Sequence, residues 1–145
     1  MAIKGLAKYY GRDKGDGKVK NHFITSSIDH KCVLDSMRNI IDDGFEVTFL
    51  DVTEEGIVDP LEVEKAIRPE TIGVSLIGVH NEIGSIQRLA EIGDICRRNK
   101  VFFHTDCAQA VGKIPLDVKE MKIDLMSISG HKVRKINLKP FWLGR

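Results

Sequence analysis

The stretch Thr71–Val79, with the sequence TIGVSLIGV, is almost continuously apolar and is followed at once by the polar residues 80–82. A run of this length and character is typical of a β-strand that is buried on both faces. Such strands belong to parallel sheets that helices cover on both sides. The stretch therefore predicts a parallel α/β fold with a polar cluster where the strand ends.

Strand and helix patterns alternate on both sides of this stretch. Apolar alternation or short apolar runs predict further strands at residues 22–27, 45–50, 101–104 and 125–129. Apolar residues at helical spacing predict helices at residues 1–10, 32–41, 60–67 and 89–96, with Asp59 as an N-cap and Gly44 as a helix end. Alternation of this kind implies right-handed crossovers, so the fold class is α/β, a three-layer, mostly parallel sheet with flanking helices.

The length indicates one compact domain, and the charge gives no indication of the class of binding partner. The chain has 145 residues and a formal net charge of +1, which gives no sign of a nucleic-acid or membrane partner. No apolar run approaches the length of a membrane span, and no targeting segment is recognisable at the N-terminus.

The three cysteines are odd in number and show no CxxC spacing, so neither a disulfide framework nor a zinc site is indicated. Cys32 and Cys96 fall on the apolar faces of their helices, and we expect both in the core. Cys107 is expected to be a small packing residue and not a nucleophile.

Polar side chains follow four of the predicted strands. In parallel sheets, ligands bind beyond the carboxyl ends of the strands, and these ends lie at one edge of the sheet. We therefore expect one crevice to be lined by the following residues: His30, Asn81, Asp106, Gln109, Ser129, His131 and Lys132.

These residue types match the needs of pyridoxal 5'-phosphate. The cofactor's aldehyde forms a Schiff base with a lysine, its pyridine nitrogen needs a carboxylate, and its phenolic oxygen needs a neutral donor. Its ring needs a flat partner, and its phosphate needs hydrogen-bond donors. The residues that match these needs, in that order, are Lys132, Asp106, Gln109, His30, and Ser129 with His131.

Segments 29–34, 81–84, 103–113 and 124–132 resemble the pyridoxal-phosphate-dependent cysteine desulfurases, a class V aminotransferase-like family, and most of all the mitochondrial and housekeeping type. The resemblance runs from Met1 to Lys132. It implies that residues 1–132 are part of a cofactor-binding large domain of the type I fold, here truncated. Residues 133–145 would be a divergent tail, and the family's small C-terminal domain would be absent.

The resemblance also implies a role for each site residue. Lys132 would hold the cofactor covalently, and His30 would lie on its ring and move protons, so both would be catalytic. Asp106 would pair with the pyridine nitrogen and Gln109 would donate to the phenolic oxygen. The remaining cofactor contacts would come from Asn81, near the substrate carboxylate, and from two phosphate-binding residues, Ser129 and His131.

By the same resemblance, the full-length enzyme converts L-cysteine to L-alanine, leaves a persulfide on an enzyme cysteine and supplies sulfur for iron-sulfur cluster assembly. It would act as a homodimer with scaffold and accessory proteins in the mitochondrial matrix, or in the cytosol or nucleus. Cys32, Cys96 and Cys107 do not match the family's loop cysteine, so we expect little or no turnover by this chain alone.

Two alternatives stay open at this level. The cofactor residues fit a selenocysteine lyase or another aminotransferase-like enzyme equally well, because they do not fix the substrate. A non-catalytic product that binds full-length subunits is the second alternative.

Overall fold

The computed structural model describes residues 1–11 and 20–133, and its secondary structure confirms the alternation of strands and helices. The helices are α1 (Ala2–Tyr10), α2 (Lys31–Asp42), α3 (Pro60–Ala66) and α4 (Leu89–Arg98), with one short 3-10 turn at Gly130–Lys132. The strands are β1 (His22–Ser26), β2 (Glu46–Leu50), β3 (Thr71–Ile77), β4 (Phe102–Asp106) and β5 (Leu125–Ser127).

The five strands form one parallel sheet in the order β2-β1-β3-β4-β5. From β1 the chain moves outward to β2, then returns to place β3 on the opposite side of β1. The segments that follow β1 and β3 therefore leave the sheet in different directions. In sheets of this kind, the carboxyl edge at such a reversal is where ligands bind.

Helices cover both faces of the sheet, which confirms the predicted three-layer arrangement. On one face, α1 and α2 pack on Phe23 and Ile72, and on the other α3 and α4 pack on Ile24, Val74 and Phe103. A one-residue irregularity lies between the β1–β3 pairs His22–Thr71 and Phe23–Gly73. It coincides with the change of face between Ile72 and Val74, because an extra residue in a strand shifts the alternation of side chains.

The residues predicted to begin α3 and to end α2 make the expected capping interactions. The Asp59 carboxylate accepts the backbone N–H of Leu61 at 2.9 Å, and Pro60 occupies the first helical position of α3. Gly44 has φ +91°, a conformation that suits glycine, and its N–H donates to the carbonyl of Ile41 at 2.9 Å after α2.

Some strand ends and one burial expectation were wrong: β3 ends at Ile77 and not at Val79, and β4 continues to Asp106 instead of ending at His104. Strand β5 ends at Ser127 and not at Ser129, because the chain leaves the sheet there toward the Gly130–Lys132 turn. Cys32 is exposed instead of buried, since its side chain faces the carboxyl edge of the sheet, where its Sγ lies 4.0 Å from Asp106 Oδ2, whereas Val33 beside it faces the core. Cys96 and Cys107 are buried, as expected.

Two sequence predictions fall largely outside the described residues. These are the glycine-rich connection at residues 11–17 and the tail at residues 133–145, of which only residues 11 and 133 are described. Within the described part of the chain, no helix has both the length and the apolar character that crossing a bilayer requires.

Candidate functional site

A cleft of about 220 Å³ lies at the carboxyl edge of the sheet. Its walls are made by the residues that end or follow β1, β3, β4 and β5. Of the seven predicted site residues, six line it: His30, Asn81, Asp106, Gln109, Ser129 and Lys132. His131 lies in the same short turn as Lys132 but is not among the lining residues. The predicted convergence of the strand ends on one crevice is therefore confirmed for those six.

Lys132 reaches the cleft because the chain turns sharply after β5. The Gly130–Lys132 turn is closed by a hydrogen bond from the Lys132 N–H to the carbonyl of Ser129 at 3.0 Å. Lys132 is half-buried there. The turn thus places a primary amine on the cleft wall.

Asp106 and Gln109 come from the end of β4 and the turn after it. Asp106 is 7% exposed, and its Oδ1 accepts the backbone N–H of Ala108 at 3.0 Å. The Gln109 Oε1 accepts from Lys113 Nζ at 2.6 Å, which leaves the two amide hydrogens of Gln109 as donors. A carboxylate and an amide donor are thereby oriented along the same wall.

His30 caps the N-terminus of α2 through its ring. Its Nδ1 accepts the backbone N–H of Cys32 at 3.3 Å and lies 3.0 Å from the Cys32 Sγ. Because Nδ1 is an acceptor in this arrangement, the neutral ring carries its hydrogen on Nε2. The Cys32 Sγ is 4.0 Å from Asp106 Oδ2, and burial, with the nearby Asp106 carboxylate, raises the pKa of this thiol.

Asp29, which the sequence did not single out, fixes the turn that precedes His30. Its Oδ2 accepts from the hydroxyl of Thr25 at 3.1 Å and from the N–H and hydroxyl of Ser26 at 3.0 and 2.7 Å. Burial raises the pKa of this carboxyl to about 6, although the hydrogen bonds from Ser26 act in the opposite direction. Among residues 1–11 and 20–133, its Oδ1 has no hydrogen-bond partner.

A buried histidine below the cleft was also missed. The His104 ring joins Ser75 Oγ, 2.8 Å from its Nδ1, to Ser127 Oγ, 2.9 Å from its Nε2. Burial lowers the pKa of His104 to about 4, so the ring is neutral near pH 7. Because Ser127 lines the cleft, this network orients one of its hydroxyls. In the sequence, only the alternation of residues along β4 could have indicated that His104 is buried.

Asn81 is presented by a turn that a third histidine holds. The His80 Nδ1 accepts the backbone N–H groups of Glu82 and Ile83 at 3.1 and 3.3 Å. These bonds tighten the loop after β3, so that Asn81 is exposed on the cleft wall.

The cleft therefore holds an amine, a carboxylate, an amide donor and an imidazole around one space. The amide hydrogens of Gln109 remain as donors, and the Asp106 Oδ2 accepts only a long hydrogen bond of 4.0 Å from the Cys32 thiol. This donor set fits an aromatic aldehyde that has a basic ring nitrogen and a phenolic oxygen. The residues present thus fit pyridoxal phosphate in chemical type.

The chain is similar in sequence and fold to known proteins. The aminotransferase class-V family model matches residues 2–134. The chain is 58% identical over 133 residues, 92% of its length, to the mitochondrial cysteine desulfurase of Eremothecium gossypii, of which it covers 26%. It is also 58% identical over 133 residues to the human cysteine desulfurase, with 92% of this chain and 28% of that protein covered.

A solved structure described as SspA in complex with cysteine has a TM-score of 0.84 and 42% identity, covering 91% of this chain and 36% of that one. The fold of this chain is therefore shared with the corresponding part of that solved structure. The chain spans between 26% and 28% of the length of the curated relatives it matches.

Proposed function

Because the chain belongs to the aminotransferase class-V family, we propose that it is the part of a cysteine desulfurase that binds pyridoxal phosphate. One observation carries the proposal. The residues that end or follow four separate strands bring Lys132, Asp106, Gln109 and His30 to a single cleft. These four supply the amine, carboxylate, amide donor and flat ring that this cofactor needs.

Bound in the cleft, pyridoxal phosphate supplies an aldehyde that reacts with amines and a ring that accepts electrons from an amino acid's α carbon. Lys132 Nζ is the amine to which we assign covalent attachment. Asp106 would hold a proton on the pyridine nitrogen, and its bond to the Ala108 N–H keeps the carboxylate in place for that role. Gln109 would donate to the phenolic oxygen, since Lys113 already engages its carbonyl oxygen.

His30 is proposed to lie against the cofactor ring and to move protons near it. Its Nδ1 is held by the Cys32 N–H, so the ring cannot rotate freely and its Nε2 is left for the ligand. We further propose that Ser129 and His131 bind the phosphate and that Asn81 contacts the cofactor and the substrate carboxylate. Among these three, Ser129 and Asn81 line the cleft.

The activity proposed for the whole protein is the conversion of L-cysteine to L-alanine. The sulfur would pass to an enzyme cysteine as a persulfide and then to iron-sulfur cluster assembly. We infer a homodimer that works with scaffold and accessory proteins in the mitochondrial matrix. The support for this compartment is that similar proteins carry names that include the word mitochondrial.

Residues 1–132 are proposed to be part of the large, cofactor-binding domain, with residues 133–145 as a divergent tail. The cleft volume of about 220 Å³ is below the ~300–1,000 Å³ usual for ligand pockets. We therefore expect residues from beyond this part of the protein to complete the site.

We expect the 145-residue chain to bind the cofactor but not to turn over cysteine. Cys96 and Cys107 are buried, and burial raises the pKa of both thiols. The pKa of the Cys32 thiol is raised as well, so none of the three is a ready nucleophile. Sulfide release from cysteine, or a persulfide on any of the three, would contradict this expectation.

A titration of the purified chain with pyridoxal phosphate, followed by visible absorption, tests the proposal. Covalent attachment to a lysine gives an absorption band that the free cofactor lacks. Lys132→Arg is the matched control because it keeps the positive charge and removes the reactive amine. We expect the band with the natural chain and none with Lys132→Arg, with circular dichroism showing that both are folded. An equal band in both would refute the assignment of Lys132.

A further inference from the structure

Three residues of the cleft place donors of different kinds close together. The ligand atoms of His30, Cys32 and Asp106 all lie within 4.8 Å of one another. The His30 Nδ1 is 3.0 Å from the Cys32 Sγ, which is 4.0 Å from Asp106 Oδ2. One nitrogen, one sulfur and one oxygen therefore lie close together, and we call these three residues the His30–Cys32–Asp106 cluster.

These separations suit a tetrahedral metal ion. Zinc binds imidazole nitrogen and carboxylate oxygen at ~2.0–2.2 Å and thiolate sulfur at ~2.3 Å, so its tetrahedral ligands lie roughly 3.3–3.7 Å apart. The observed separations of 3.0 and 4.0 Å fall on either side of that range. The third pair, His30 with Asp106, lies within 4.8 Å, so side-chain movements of up to about 1 Å would bring all three ligand atoms into that range.

We propose that the chain without its cofactor binds a zinc-type divalent ion through His30, Cys32 and Asp106. The ion takes the Nδ1 lone pair of His30, which now accepts the Cys32 N–H, while Nε2 keeps its hydrogen. The Cys32 thiol releases its proton to solvent as the sulfur–metal bond forms. The fourth ligand position faces the cleft and is open to water, as in zinc sites with three protein ligands.

The charge balance around the cluster favours a cation. Asp106 and Asp29 are both buried, and the charge of Asp106 is one of the influences that raise the pKa of Asp29. Within residues 1–11 and 20–133, none of the ion pairs involves either carboxylate. A divalent ion on Asp106 would supply the missing positive charge. It would also favour the thiolate of Cys32, against the effect of burial.

The sequence did not indicate this site, because its cysteines lack the spacing of zinc motifs. The fold creates it by joining the first turn of α2 to the end of β4, and residues 32 and 106 are far apart in the chain. His30 and Asp106 are also the residues proposed to contact pyridoxal phosphate. Competition between the two ligands rests on the proposed function, whereas binding of the metal does not.

Protection of Cys32 from alkylation tests the proposal on the natural chain. The purified 145-residue chain is treated with iodoacetamide in the presence of zinc chloride or of a chelator, and each cysteine peptide is quantified by mass spectrometry. We expect zinc to slow modification of Cys32 by about tenfold or more, because a metal-bound thiolate is a weaker nucleophile. Equal rates with zinc and with chelator would overturn the proposal.

Cobalt replaces zinc as a coloured probe of the ligand set. We expect cobalt chloride to give the near-ultraviolet absorption that only a thiolate ligand produces. Cys32→Ser should remove this absorption and weaken zinc binding by more than the ~10-fold that loss of a supporting hydrogen bond costs. Cys107→Ala is the control, since it removes a buried thiol outside the cluster, and it should leave both readouts unchanged. A thiolate band that persists in Cys32→Ser would overturn the assignment.

The two proposals fail in different ways. If zinc protects Cys32 but pyridoxal phosphate gives no Lys132-dependent absorption band, the proposed function fails and the metal site stands. If the cofactor band forms but zinc neither protects Cys32 nor slows formation of the band, the metal site fails. If both ligands bind, we expect zinc to lower the apparent affinity for the cofactor by a factor that rises with zinc concentration.

Discussion

The two histidines buried in the sheet differ from His30, at the carboxyl edge of the sheet, in how their ring nitrogens are hydrogen-bonded. His104 has both ring nitrogens engaged by serine hydroxyls, at 2.8 and 2.9 Å, and His22 has both engaged by Thr71 and Thr48 at the same two distances. His30, in the cleft, uses its Nδ1 to contact Cys32, and its Nε2 has no hydrogen bond within residues 1–11 and 20–133. The buried rings are thus fully occupied within the protein, whereas the edge ring keeps one nitrogen for a ligand.

This difference separates groups that maintain the fold from groups that can bind. A buried polar atom must find a protein partner, because leaving it unpaired costs free energy. At the cleft, Gln109 uses its oxygen for an internal bond and leaves its two amide hydrogens available, while Asp106 accepts a backbone N–H on Oδ1 and only a long bond from the Cys32 thiol on Oδ2. Substitutions in the two regions should therefore affect different measurements.

The largest effect on stability is expected at His104. His104→Ala leaves the Ser75 and Ser127 hydroxyls without their partner and opens a cavity below the cleft. We expect the free energy of unfolding to fall by about 3 kcal/mol, measured by urea denaturation. His30→Ala is the matched control at the cleft, and a loss as large as that of His104→Ala would remove the distinction between the two regions.

The pH dependence of stability follows from the same buried histidines. Burial lowers the pKa of His22 and of His104 from 6.5 to about 4. Between these two pH values the unfolded chain binds protons that the folded chain does not, so stability falls as the pH falls. Each histidine contributes up to about 3 kcal/mol in this direction.

Asp29 acts in the opposite direction. Its pKa is raised from 3.8 to about 6, so in that interval the folded chain holds a proton that the unfolded chain releases. We expect a net loss of about 3 kcal/mol between pH 7 and pH 4, because this carboxyl offsets one histidine. Asp29→Asn should make the loss steeper, as thermal or urea unfolding at several pH values can show. A shallower loss would mean that Asp29 is not protonated in the fold.

At the cleft, His30→Ala should affect binding more than stability. Loss of the ring removes one helix-cap hydrogen bond, for which we expect a cost of about 1 kcal/mol or less. Loss of stacking should weaken binding of pyridoxal phosphate by about tenfold in an absorption titration. His30→Phe keeps a flat ring without nitrogens and should recover part of the affinity. Unchanged affinity in His30→Ala would contradict contact between this ring and the cofactor.

The smallest effect is expected at Gln109. Gln109→Leu keeps the size of the side chain and removes its amide donors, so cofactor affinity should fall by about fivefold, the equivalent of one neutral hydrogen bond. Lys113→Met removes only the ammonium group that donates to the Gln109 oxygen, so the decrease in cofactor affinity should be smaller. A larger decrease for Lys113→Met would show that Lys113 contacts the ligand itself.

Much of the fold could be predicted from the sequence because its periodic patterns are strong. The apolar run of β3, the Asp59-Pro60 helix start and the polar strand ends each indicated the element that the structure contains. Parallel strands then required the polar ends to meet at one edge. That requirement is why the sequence was sufficient to place six of the seven site residues in one cleft.

The rest depends on contacts between elements, which periodicity does not describe. Cys32 has the spacing of a core residue, yet its side chain lines the cleft at the carboxyl edge of the sheet. His104 and Asp29 resemble ordinary polar residues in the sequence. Their partners come from another strand or from the turn itself, and these partners decide their pKa values.

The most direct test of the central claim is the site of covalent attachment of pyridoxal phosphate. The folded chain is incubated with the cofactor and reduced with borohydride, and its peptides are mapped by mass spectrometry. We expect to find the cofactor mass on the Lys132 peptide, and we expect Asp106→Asn to reduce the yield at that peptide. Label spread over several surface lysines, or none on Lys132 in a folded sample, would contradict the account.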